Sequence, residues 1–186
     1  MLDMGIPDGE GVVLVLYLFG FEHICVAVSD LYFVDPQPAD GQEGAERGVR
    51  LEVRRLEPGE LKGSVYSARP ISVDRPLWRV DLLESVSGPA GSFDRTHHHP
   101  GIRGWEPGGR VFDEGLTAEP LKWLGERLGD LDAHLAEVGP ADAASLRACV
   151  PEILDAVGRL LARVRAGEAA AVSGGDPAAG VRAGWL

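Results

Sequence analysis

Three of the chain's five histidines fall in one run, His97-His98-His99, inside a segment from Phe93 to Asp113 that also carries acids, arginines and a tryptophan. If the run is extended, successive side chains alternate, so His97 and His99 share a face while His98 points the other way. Two imidazoles so related can chelate one divalent ion, and Asp94 or Glu106 would supply a carboxylate. The resulting two-histidine, one-carboxylate set suits iron or another divalent first-row metal, and an open coordination position would make it catalytic. Two competing readings use the same residues. One is a solvated turn before Pro100 whose rings bond to carboxylates such as Asp94, and the other is acid–base chemistry without a metal.

A second constellation follows directly. Gly104-Trp105-Glu106-Pro107-Gly108-Gly109 reads as a turn that sets an indole beside Arg103 and Arg110, a grouping able to stack on and clamp an anionic small molecule. The plainer reading has Trp105 capping the edge of the core and Arg110 pairing with Asp113 or Glu114. Gly91, His97 and His99 together partly resemble the opening of the cupin signature, a glycine, five residues and then His-x-His. The chain departs from that pattern at the next step, because Glu106 comes late and no strand-borne histidine follows, so the family is not adopted. No P-loop, G-x-G-x-x-G fingerprint or Ser-His-Asp pattern is present, which argues against nucleotide-phosphate enzymes and familiar hydrolases.

Composition bounds the remaining classes. The chain has 186 residues, 45% of them hydrophobic, enough for one sizeable core. With 29 acidic against 18 basic residues the net charge is -11, which disfavours nucleic acid and anionic membranes and leaves a small molecule or a basic protein as partner. The second class of function is therefore a non-catalytic acidic interaction protein, inhibitor-like or immunity-like. Arginine far outnumbers lysine amid abundant Gly, Ala and Pro, which reads as the coding bias of a GC-rich bacterium. Cys25 and Cys149 suggest no disulfide framework, and acids stand where a secretory leader needs basic residues, so the compartment expected is the cytoplasm.

These residues need elements to hold them. Val12 to Phe19 is apolar throughout, the pattern of a central strand, and an extended run from Phe21 to Val34 follows. Asp35 to Gly48 is rich in Pro, Gly and charge and reads as a connection. Val49, Leu51 and Val53 then alternate with Arg50, Glu52 and Arg54, which predicts an antiparallel strand with one wet face. Ser64 to Val73 and Leu77 to Glu84 read as two more strands, reversing at Asp74-Arg75-Pro76.

Beyond the histidines the period changes. Leu121, Leu124, Leu128, Leu131, Leu135 and Val138 predict a helix capped by Thr117 and stopped at Gly139-Pro140. Leu146, Val150, Ile153, Val157, Leu160 and Val164 predict a second helix, opened or kinked by Pro151. The fold expected is α+β: an antiparallel sheet of about five or six strands within 11–113, open or half-barrel, then a C-terminal helical hairpin within 117–166. Residues 1–166 would form one domain and 167–186 a flexible tail. The two helical stripes would also serve a homodimer.

Overall fold

The computed structural model describes residues 15–167 apart from Pro36, Ala39 and Gln42. Five strands, β1 (Leu16–Gly20), β2 (Ile24–Val34), β3 (Ala45–Pro58), β4 (Ile71–Ser85) and β5 (His97–His99), form one antiparallel sheet in chain order. β1 and β5 are its two edges, so the sheet is not closed. A two-stranded ribbon follows, β6 (Ile102–Arg103) with β7 (Glu106–Pro107). Then come α1 (Glu114–Ala118), α2 (Pro120–Gly129), a 3-10 turn at Leu131–Ala133 and the 26-residue α3 (Pro140–Arg165). The α+β class therefore holds.

Strand periodicity decides which face meets the helices. Ile24, Val26 and Val28 of β2, Val49, Leu51 and Val53 of β3, and Trp78, Val80 and Leu82 of β4 are all buried in one core. Leu124 and Leu128 of α2 and Leu146, Ile153, Val157 and Leu160 of α3 close that core from the other side. Each such side chain stabilises the fold by about 1.5–3 kcal/mol relative to exposure, which explains two layers and one core. The stripe residues are thus spent within the subunit itself; of those named, Leu121 is exposed. Asp142 in the first turn of α3 ties the layers together, its Oδ1 accepting from the amides of Glu22 (2.8 Å) and His23 (3.1 Å) in the β1–β2 hairpin.

Several elements differ from the sequence expectation. The apolar run at the start belongs to an edge strand, with Leu16 43% and Leu18 49% exposed, while its first residues, 12–14, lie outside the described residues. Ser64 to Pro70 form no strand. Asp74-Arg75-Pro76 does not reverse the chain but lies within β4, opposite a register shift at Arg54. That irregularity accommodates a proline, which cannot donate to a regular ladder.

The expected first helix is broken. Asp113, not Thr117, caps α1 by accepting from the Leu116 amide at 3.1 Å. Pro120 opens α2, which stops at Gly129, so the apolar spacing on to Val138 is carried by a 3-10 turn and loop. Pro140 begins the long helix instead of ending the previous one, and Pro151 lies inside it. In place of two matched arms, a short helix packs against a long one. The tail expected from Gly167 falls beyond the last described residue.

The largest difference concerns the face of β3 away from the helices. Alternating Arg and Glu predicted solvent, yet Glu52 and Arg54 are buried. Cross-strand pairing accounts for this. Glu52 accepts from Arg79 Nε (2.8 Å) and Arg54 Nη1 (2.6 Å), and Arg54 Nε donates to the Asp74 carbonyl at 2.9 Å. Charges that meet this closely can leave water because each finds its partner.

Candidate metal centre

β5 is three residues long, yet its attachment to β4 sets the site. Arg79 pairs with His99, Val80 with His98 and Asp81 with His97. Residues opposite one another in an antiparallel ladder project to the same face, so His97 and His99 join Asp81 on the charged side of the sheet. His98 goes to the helix side, its ring centroid 5.1 Å from that of Trp123, and its backbone bonds Val111 in both directions. Thr96 fixes the approach to the strand: its hydroxyl accepts from the Leu83 amide at 3.0 Å and donates to the Leu83 carbonyl at 2.9 Å.

The ring nitrogens are oriented by the backbone. His97 Nδ1 lies 2.8 Å from the Arg95 carbonyl, and His99 Nδ1 lies 2.8 Å from the Gly108 carbonyl. A carbonyl only accepts, so each Nδ1 must carry the hydrogen, and in the neutral ring the lone pair is then on Nε2. Both Nε2 atoms face the same atom, Asp81 Oδ2, at 3.5 Å from His97 and 3.7 Å from His99. These separations exceed a hydrogen bond. Gly108 can present its carbonyl because the ribbon closes tightly there, where an added Cβ would come within 2.7 Å of the Gly101 oxygen.

Electrostatics favour the ligand forms of Asp81 and His97. Burial works against an ionised Asp81, but Arg50 overcomes it, donating from Nε to Oδ1 at 2.7 Å and from Nη2 to Oδ2 at 3.3 Å. With that pairing the carboxyl is held well below the usual carboxylate range. Burial pushes His97 below its ordinary value, against the pull of Asp81, so its neutral form is favoured. One carboxylate oxygen and two imidazole lone pairs therefore converge. The three ligand atoms lie within 4.8 Å of one another. Metal–nitrogen bonds of about 2.0–2.1 Å place adjacent tetrahedral ligands about 3.3–3.4 Å apart, close to the 3.5 and 3.7 Å from each Nε2 to Asp81 Oδ2, so a divalent ion would draw the three donors inward.

The residues named from sequence are distributed as follows. His97 and His99 stand together with Asp81. Asp94 works in the turn before β5, where Oδ1 accepts from the Ser85 amide (2.9 Å) and the Ser92 hydroxyl (2.7 Å). Glu106 and Arg103 pair with each other in the exposed ribbon. Arg110 bonds Asp35 at 2.9 Å, not Asp113 or Glu114. Trp105 is half exposed and covers Arg54, whose guanidinium carbon lies 5.5 Å from the ring centroid, so the indole meets neither Arg103 nor Arg110 in that contact. Phe112 also lies beside the centre, its half-exposed ring 5.6 Å from that of His97.

Asp81, Arg50 and Glu46 are the residues that sequence reasoning missed. Asp81 was legible as a polar residue inside the strand Leu77 to Glu84, but pairing it with the histidines required the β4–β5 register. Glu46 is buried on the charged side, with Oε1 4.0 Å from Arg95 Nε and Oε2 without a hydrogen-bond partner among the described residues. Burial raises its carboxyl above the ordinary value; Arg110 and Arg95 oppose this, while Asp35 and Asp81 reinforce it. A carboxyl raised in the folded state contributes stability that is full below the unfolded pKa and is lost as pH rises through the folded one. Glu46→Gln, which cannot ionise, is thus expected to melt higher than the parent at neutral pH, with the advantage gone by about pH 4. Melting curves across that range check the sign.

Cys25 completes the charged face and is fully buried. Burial pushes its thiol up to about 11, so it is no nucleophile at neutral pH. Among the described residues no helix is long and apolar enough to cross a membrane. Neither a protein-family model, nor a curated protein, nor a solved structure matches this chain.

Proposed function

We propose that this protein binds one divalent first-row metal ion through Asp81 Oδ2, His97 Nε2 and His99 Nε2, with the remaining coordination positions open to water or a small ligand. The observation that carries the reading is the matched pair of Nδ1 contacts to the Arg95 and Gly108 carbonyls, which turns both Nε2 lone pairs onto one carboxylate oxygen. Metal-ligating histidines are held in this way, the outer nitrogen donating to a backbone or carboxylate oxygen so that the inner one is free to ligate. Without a cation, two lone pairs and an anionic oxygen would face each other at unfavourable separation. Three protein ligands with open positions suit iron(II), and zinc or manganese as alternatives.

Tag-free full-length protein is expected to take up about one equivalent of iron, zinc or manganese, with heat released on titration and protons displaced as the site fills. Less than about a tenth of an equivalent, with no calorimetric response to any of the three, would remove the reading. The other class of function, an acidic docking protein for a basic partner, rests on the net charge of -11 alone. Among the described residues no particular surface favours it.

A further inference from the structure

Asp81 is engaged twice. Its charge would be needed by a metal, but it is already matched by Arg50, whose fork meets both carboxylate oxygens. Around that pair the other charges also cancel. Glu52 stands between Arg54 and Arg79, Arg95 lies between Glu46 and the more exposed Asp94, and Arg110 pairs with Asp35. A divalent ion held by two neutral imidazoles and a carboxylate already neutralised by arginine would keep about two uncompensated positive charges. It would keep them at a place where the Asp81 side chain is 2% and that of Arg50 21% exposed. Net charge at such burial is unfavourable unless something cancels it.

We infer that the open coordination positions take a small oxyanion, a carboxylate or phosphate group, and that Arg50 makes the centre select for anions over neutral ligands. The inference rests on the metal reading above. The anion's oxygen would complete the coordination shell and its charge would replace the compensation that Arg50 withdraws from Asp81. Phe112, half exposed, lies beside His97 with the ring centroids 5.6 Å apart.

The test uses full-length protein loaded with zinc or cobalt(II), titrated with oxalate, with inorganic phosphate and with neutral imidazole, each also against metal-free protein. At least one oxyanion is expected to bind the metal-loaded form about tenfold or more tighter than the metal-free form, and imidazole to gain far less. Response to oxalate alone assigns a carboxylate ligand, and response to phosphate alone assigns a phosphate group. Arg50→Gln should hold metal more tightly and oxyanion more weakly, two opposite changes that simple unfolding does not produce. Arg50→Lys, which keeps the charge, should retain oxyanion binding. If metal is taken up but neither oxyanion gains, or imidazole gains as much, the inference is overturned while the metal reading stands. Failure to take up metal overturns both.

Discussion

Asp81→Asn is expected to abolish metal uptake and to destabilise the fold by about 3–5 kcal/mol, because it strands the largely buried Arg50 guanidinium, 21% exposed, without its counter-charge. The two effects have different origins, and a double variant separates them. In Arg50→Met/Asp81→Asn the orphaned charge is gone, so stability should recover for the most part, since a buried ion pair is often replaceable by neutral groups. Metal uptake should not recover, because the amide supplies no anionic ligand. Denaturant midpoints and metal analysis on the three variants give the answer. A double variant as unstable as Asp81→Asn would show that the carboxylate supports the sheet by something other than its pairing with Arg50.

The histidine run supplies the second large effect. His97→Ala and His99→Ala should each weaken metal binding by more than the roughly 10–100-fold that losing an outer partner of a ligand costs, since each removes a donor outright. His98→Ala, between them, should leave metal stoichiometry unchanged and lower stability by about 1–2 kcal/mol through lost packing on Trp123. This pattern of two sensitive positions flanking an insensitive one is specific. A disordered, solvated histidine turn would give three equal and small effects, and calorimetric titration of the three variants distinguishes the cases.

What the chain discloses without coordinates follows from the range of each signal. The two-residue period is local, so the inner face at Val49, Leu51 and Val53 and the shared face of His97 and His99 could both be read directly. The alternation of Arg50, Glu52 and Arg54 was equally visible but ambiguous. A face open to water and a face sealed by paired charges have the same pattern, and the difference lies in Arg79 and Asp81 across the ladder. Asp81 joined the histidines through a strand register that no short window contains. Pro76 misled because proline most often marks a turn, whereas here the irregular pairing at Arg54 lets it stay in a strand. The helices failed locally for a similar reason: Pro120 sits two residues past the end of α1, and the apolar spacing carried on across the break.

Two of the three proposed metal donors ride on a single strip of backbone. β5 holds to β4 over three residues and is followed at once by Pro100, which cannot lengthen the ladder by donating its own amide. Lifting that strip would withdraw both imidazoles in one movement, leaving Asp81 behind with Arg50. Such a centre would assemble and come apart as a unit, and the tethering of one short edge strand would set how long an ion stays.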